Sequence, residues 1–77
     1  MTSTLLKRPV GYRHIPASKW TELTSGDAVW IYEAGWGVGA GRVDEVSGDH
    51  ELLWVFLEPG SRRLLCGTDA VEVWSAA

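Results

Sequence analysis

Two histidines and one cysteine are the residues of this 77-residue chain with the most versatile chemistry, because imidazole and thiolate groups bind metals and act as bases or nucleophiles. They are His14, His50 and Cys66, and no two of them are close in sequence. A zinc site normally takes two of its ligands from one short turn. The spacing therefore predicts no metal site, and it provides no base beside Cys66 to activate a nucleophile.

A glycine-rich segment at residues 35–40 fits the G-x-G-x-x-A form of a dinucleotide-binding fingerprint. That motif needs a helix that begins at the pyrophosphate, but residues 41–46 have neither a helix cap nor an apolar helical face. We expect instead a bent strand, whose alternating glycines let the sheet close or let a tryptophan ring lie against the backbone. The adjacent Asp44 and Glu45 would point to opposite faces of this strand, which argues against shared acid–base catalysis. The sequence thus predicts no enzyme and no cofactor.

Composition and charge are those of one small globular domain, with 45% hydrophobic and 22% charged residues. A single cysteine forms no internal disulfide and favours a reducing cytoplasm. No apolar run approaches the roughly 18 residues of a membrane span, and the start of the chain does not have the pattern of a signal peptide. Residues 1–25 carry four basic side chains and one acid, whereas residues 26–77 carry three arginines and nine acids. The acidic body disfavours nucleic acid as a ligand.

The residues after Gly26 predict five short strands separated by turns. The strands are expected at 28–34, 36–46, 51–58, 62–66 and 71–74, where β-branched and aromatic residues are frequent. Residues 47–50 predict a hairpin, and Pro59-Gly60 fits the two central positions of a type II turn. Upstream, Ser18 is the expected N-cap of one helical turn at 19–23.

The pattern resembles the SH3-like barrels, which include Tudor and KOW-type domains. Four segments carry the resemblance: Gly26-Asp27-Ala28-Val29, Trp36 through Val43, Leu53–Leu57 and Asp69-Ala70-Val71-Glu72-Val73. It implies an all-β, five-stranded antiparallel barrel with its preceding helical turn at residues 18–77, after an N-terminal arm at 1–17. The layout also resembles plasmid-borne type II dihydrofolate reductases. Their site depends on a Val-Gln-Ile-Tyr segment, where this chain has Arg63-Leu64-Leu65-Cys66, so the resemblance does not extend to that activity.

Two of the predicted strands are apolar on both sides. Since neighbouring residues of a strand face opposite ways, Val29 and Ile31 separate from Trp30, and Leu53 and Val55 separate from the aromatic residues beside them. A small barrel has little room for indoles, so we expect the aliphatic set inside. The outward set would then form one patch of six residues: Trp30, Tyr32, Trp36, Val38, Trp54 and Phe56.

So large an apolar patch exceeds what monomeric proteins usually expose, so we expect something to cover it. The three candidates are the N-terminal arm with Trp20 and Leu23, a second copy of the chain, and a different protein. We therefore expect a non-enzymatic protein-interaction module, homodimeric or bound to a protein partner. Its contacts would be Trp30, Tyr32, Trp36, Trp54 and Phe56. One context for such a module is a phage-encoded inhibitor or adaptor of a larger protein, although no residue points to it.

Two other ligands fit parts of the sequence. Aromatic cages bind methylated lysine or arginine, and Trp30, Tyr32 and Trp54 with Glu33 or Asp49 can be arranged as one. The alternative function is a KOW- or Tudor-like nucleic-acid-binding domain, in which arginines and a lysine hold phosphates while exposed rings stack on bases. Its residues would be Arg13, Lys19, Arg42, Arg62 and Arg63. Charges on an edge strand also discourage aggregation, and the acidic body favours that role for the arginines.

Overall fold

The computed structural model of the chain describes residues 8–48, 51–58 and 60–76, and within these ranges the protein is all-β. No helix in this part of the chain is long and apolar enough to cross a membrane. The elements follow in the order β1 (Arg13–His14), a 3-10 helix (Ala17–Glu22), β2 (Ala28–Glu33), β3 (Gly37–Val46), β4 (Leu52–Leu57), β5 (Ser61–Cys66) and β6 (Val71–Ser75).

All six strands form one antiparallel sheet in the order β1-β6-β2-β3-β4-β5. The all-β, antiparallel prediction is confirmed, and each of the five expected strands is found with its ends shifted by one residue at most. Among the described residues, β1 and β5 each have a strand on one side only, so backbone pairing does not close the sheet. A closed five-stranded barrel is therefore not confirmed. The additional strand β1 lies within residues 1–17, the predicted arm; the boundary at residue 17 stays a prediction.

The sheet is nevertheless strongly curled, which brings the edge strand β5 close to β2. The Arg63 guanidinium on β5 donates hydrogen bonds to the Glu33 carboxylate on β2, one of them from Nε at 3.1 Å. In a flat sheet these strands would lie roughly 14 Å apart, since three strand spacings separate them. A shift in the β3–β4 register between Val43 and Glu45 bends β3. It also brings Asp44 and Glu45 to one face, where their carboxylates lie 2.8 and 3.9 Å from the Arg62 guanidinium, so the expectation that they point to opposite faces is wrong. Gly41 lets β4 approach closely, because a Cβ there would overlap the Phe56 carbonyl oxygen.

The concave side of the sheet carries an aliphatic core, as the strand alternation predicts. Leu53, Val55 and Ile31 are fully buried there. The 3-10 helix and its flanks close this side with Ile15, Trp20 and Leu23, and the Trp20 Nε1 donates to the Ile15 carbonyl oxygen at 3.0 Å. Of the three candidate covers of the aromatic face, the one that uses Trp20 and Leu23 is therefore wrong. They pack on the opposite face, because the open side of the curled core has room for one large ring.

Two local predictions differ from the structure or lie partly outside it. The helical turn begins two residues earlier than expected and is a 3-10 helix, whose N-cap is Pro16 rather than Ser18 and has no side-chain cap. The fixed φ of proline sets the start of the helix, which leaves Ser18 inside it. The predicted hairpin at 47–50 and the Pro59-Gly60 turn lie partly outside the described residues. At the second turn, the Gly60 N–H donates to the Leu57 carbonyl oxygen at 2.6 Å, which makes Gly60 the fourth residue of that turn and not the third, as the predicted type II turn requires.

Candidate functional site: the outer face of the sheet

The outer face is the convex side of the sheet, opposite the aliphatic core, and strand pairing arranges its residues in rows. One row crosses β1, β6, β2 and β3 through His14, Trp74, Trp30 and Ala40. A second row crosses β2, β3, β4 and β5 through Ala28, Arg42, Phe56 and Arg62. Tyr32 lies between Glu72 and Val38, and Trp54 lies between Glu45 and Leu64. Aromatic rings therefore occur on both halves of this face.

The β2–β6 half is largely covered by the chain itself. Trp30 is only 8% exposed, although it stands outside the aliphatic core cluster. The neighbouring Trp74 carries the Arg8 guanidinium 3.8 Å above its ring centroid and the His14 ring at 5.3 Å, and its Nε1 donates to Glu72 at 3.0 Å. Trp30 thus lies on the predicted face but is not accessible. Tyr32, 40% exposed, is the ring on this half that remains open.

Trp74 is a residue of this face that sequence reasoning missed. Its neighbour Val73 is fully buried in the core, so alternation along β6 places Trp74 outside. That signal was present in the sequence. It was not usable without knowing that β6 pairs with β2, which sets Trp74 directly opposite Trp30.

The β4–β5 half leaves apolar side chains open to solvent. Phe56 is 47%, Leu64 42% and Leu52 37% exposed, and together with the half-buried Trp54 they form what we call the apolar cluster. The Arg62 guanidinium lies 3.9 Å from the Trp54 ring centroid and is held there by Asp44 at 2.8 Å. This arginine shields the indole but leaves Phe56 and Leu64 exposed. The proposed aromatic cage is not assembled, since Arg62 occupies a face of Trp54; Asp49 lies outside the described residues.

Trp36 does not join the other predicted contact residues. Its ring atom Cη2 would lie 3.1 Å from a Cβ placed on Gly39, and the Arg63 guanidinium is 4.3 Å from its ring centroid. Gly39 pairs with the buried Ile31, so the ring stands on the concave side, at the end of the core. Trp36 precedes the first residue of β3, and strand alternation does not apply to it. A tryptophan ring against the glycine backbone is what the alternating glycines predict.

The basic residues of the alternative function are dispersed, and at least three of the five have partners within the chain. Arg62 pairs with Asp44, Arg63 with Glu33, and the Arg42 Nη1 donates to the Gly26 carbonyl oxygen at 2.9 Å. Arg42 and Arg62 lie on the outer face and Arg63 on the concave side, whereas Arg13 and Lys19 line a separate hollow near the 3-10 helix. These five side chains do not form one basic surface.

An open depression of about 640 Å³ lies beside Phe56. It is bounded by the turn before β2, by the bend of β3 and by the turn between β4 and β5. Its lining includes Gly26, Gly41, Arg42, Phe56 and Glu58. The exposed ring of Phe56 forms part of its wall. A concave surface of this kind can accept a side chain of another molecule.

The two residues with metal-binding or nucleophilic chemistry that the structure describes, His14 and Cys66, are not brought together. His14 is on β1 and Cys66 ends β5, at opposite edges of the sheet, and His50 lies outside the described residues. Within the part of the chain that the structure describes, no three His, Cys, Asp or Glu residues are grouped so that they hold a metal ion. The Cys66 Sγ instead contacts the Thr68 hydroxyl at 3.1 Å.

Comparison with known proteins gives no relative: no protein-family model, no curated protein and no solved structure matches this chain. The geometry of the outer face is therefore the available guide to function.

Proposed function

We propose that this protein is an SH3-like barrel that serves as a non-enzymatic protein-interaction module, and that its apolar cluster docks on an apolar surface of another protein. The consecutive antiparallel order β6-β2-β3-β4-β5 supports the fold assignment, as does the curl that carries β5 to β2. The additional strand β1 would be an extension of the barrel by its N-terminal arm.

The observation that carries this proposal is that both faces of β4 are apolar, although only one of them contributes to the core. Leu53, Val55 and Leu57 on one side complete the core, so the fold does not require large apolar residues on the other. Phe56 and Leu52 are nevertheless there, about 40% exposed, on a sheet that holds them in fixed positions. Covering such side chains with another apolar surface gains roughly 25 cal/mol per Å² of buried area.

Residue types at this surface are those that dominate protein–protein contacts. Aromatic residues and arginine are enriched at interface hot spots, and Phe56 lies between Arg42 and Arg62 in its row. Both arginines are already oriented by partners within the chain, so docking immobilises little additional side-chain freedom. The Arg62–Asp44 ion pair speaks against nucleic acid, since a guanidinium held by a carboxylate releases fewer counterions on binding phosphate.

Affinity capture from the native cell lysate tests the proposal, with and without nuclease, using the parent chain, Phe56→Ser and Val10→Ser. Val10 is fully exposed and lies outside the sheet, so its variant is the matched control. We expect a defined protein to be retained by the parent and by Val10→Ser, to withstand nuclease, and to be lost with Phe56→Ser.

Two results would contradict this function. Partners that disappear with nuclease would favour the nucleic-acid alternative, and identical capture by all three chains would show that Phe56 is not a contact. Far-ultraviolet circular dichroism of Phe56→Ser confirms that the variant is folded, so that a loss of capture is a loss of contact.

A further inference from the structure

The strand β5 is an open edge of the sheet over six residues, Ser61–Cys66. The other edge, β1, pairs with β6 over two residues only. Edge strands present unpaired backbone groups, and proteins usually shorten or cover them. One edge of this sheet is shortened in that way, whereas the described residues supply no strand to pair with β5.

The pairing of β5 with β4 determines which of its backbone groups face the open side. The Gly67 N–H donates to the Glu51 carbonyl oxygen at 2.7 Å, just beyond the ladder, and hydrogen-bonded pairs alternate in antiparallel strands. The register then directs the backbone of Arg63 and Leu65 towards β4. The N–H and C=O groups of Arg62 and Leu64 point away from it, and the structure gives them no partner in the ranges 8–48, 51–58 and 60–76.

We infer that β5 pairs in antiparallel fashion with β5 of a second copy, about a two-fold axis that passes beside Leu64. Antiparallel pairing of a strand with itself is an isologous contact, which closes as a dimer and leaves no further free edge of this kind. Leu64 belongs both to this edge and to the apolar cluster, whereas Phe56 on β4 is not part of the edge, so the inference does not depend on the docking of another protein.

The charges of β5 favour this register over those centred on either arginine. With Leu64 beside its own copy, Arg62 is opposite Cys66 and Arg63 is opposite Leu65, so no arginine faces an arginine. A register centred on Arg62 or on Arg63 places two like charges directly opposite each other, which is unfavourable. The chosen register also uses the outward N–H and C=O groups of Leu64 and Arg62, and it covers the Leu64 side chain, which is 42% exposed.

The outer face becomes continuous in this dimer. Leu64 pairs with Trp54 on β4, so the row reads Trp54, Leu64, and then the same two residues of the second copy in reverse order. Each Leu64 side chain then lies between the Trp54 of its own chain and an aliphatic neighbour across the axis.

Sedimentation velocity of the whole chain tests the inference with Leu64→Pro, Leu64→Lys and Leu64→Thr. Proline removes an N–H that β4 does not use, so it blocks edge pairing while the sheet of one chain is retained. Lysine sets two like charges together at the axis. We expect a parent dimer whose dissociation constant rises at least about tenfold with proline and with lysine, and less with threonine, which keeps the N–H. A monomeric parent, or a dimer unaffected by both variants, overturns the inference.

Disulfide trapping tests the register. In the background of Cys66→Ser, Leu64→Cys sets two thiols across the axis with Cα atoms about 5.5 Å apart, which a disulfide spans. Phe56→Cys in the same background is the control, since it is equally exposed but lies on β4. We expect covalent dimer from the first variant only. If only Phe56→Cys forms a covalent dimer, the two copies meet through their outer faces and not through their edges. If neither variant forms one, the edges do not meet.

Discussion

The two faces of β4 differ in how their side chains are held, although both are apolar. Leu53 and Val55 are fully enclosed by strands on either side and by the 3-10 helix, whereas Leu52 and Phe56 on the same strand remain 37% and 47% exposed. Trp54 is half-buried beneath the Arg62 guanidinium. One face is filled by dense aliphatic packing and the other is partly sheltered by guanidinium groups. An apolar residue in a strand can therefore either complete the core or offer a contact to another molecule. The direction of its side chain decides which of the two it does.

The adjacent leucines of β4 give the largest expected contrast. Leu53→Ala removes a fully buried side chain and leaves a cavity, which costs about 3 kcal/mol of unfolding free energy. Leu52→Ala removes the same atoms from the outer face, where partial exposure limits the cost to about 0.5 kcal/mol. Urea denaturation of both variants measures the difference. Equal costs would mean that the outer face is packed as tightly as the core, and dependence on protein concentration would identify a second copy as the cover.

The two buried indoles, one on each face, give the next contrast. Trp20→Phe removes the hydrogen bond to the Ile15 carbonyl oxygen and opens space in the core, which together cost about 2 kcal/mol. The Trp30 Nε1 is buried and has no acceptor among the described residues. Trp30→Phe therefore removes an unpaired donor along with some packing, and we expect a net cost below about 0.5 kcal/mol.

Thermal or urea unfolding followed by far-ultraviolet circular dichroism compares these two variants without relying on tryptophan emission. A cost for Trp30→Phe as large as that for Trp20→Phe would show that the packing of the outer indole outweighs the penalty of its unpaired donor.

The alternation of residue types along β2 and β4 correctly predicted which side chains lie in the core and which lie on the outer face. The aliphatic sides of β2 and β4 are inside, and Tyr32 and Phe56 are outside and exposed. The order of the strands in the sheet could not be predicted from this alternation. Trp30 is buried because β6 brings Trp74 beside it, and this pairing joins residues more than 40 positions apart in the chain.

The departures from prediction occur where the chain leaves regular strands. Trp36 turns to the concave side because it lies in the turn before β3, where a period of two has no meaning. Trp20 is a core residue because the curled sheet has an open side that the residues before β2 must fill. The sequence marks both residues as large and apolar, but their directions depend on the curl, which the Arg63–Glu33 contact and the β3 bend make visible only in three dimensions.

The two arginines that follow the β4–β5 turn give the smallest expected contrast, again one on each face. Arg63 pairs with Glu33 on the concave side, where their side chains are 29% and 22% exposed, and it joins strands that are not neighbours. Arg62 pairs with Asp44 on the outer face and is 42% exposed. We expect a coupling free energy of about 1 kcal/mol for the first pair and about 0.3 kcal/mol for the second, because water screens the exposed pair.

Double-mutant cycles measure both couplings, with Arg63→Met and Glu33→Gln for one pair and Arg62→Met and Asp44→Asn for the other. Methionine keeps an aliphatic stem against Trp36 or Trp54, so that the cycles report the charges rather than the loss of ring contacts. At 1 M salt the outer coupling should vanish and the inner one persist, because screening acts mainly on exposed charges. If salt abolishes both couplings equally, the Arg63–Glu33 pair is a surface contact, and the curl of the sheet rests on the aliphatic core alone.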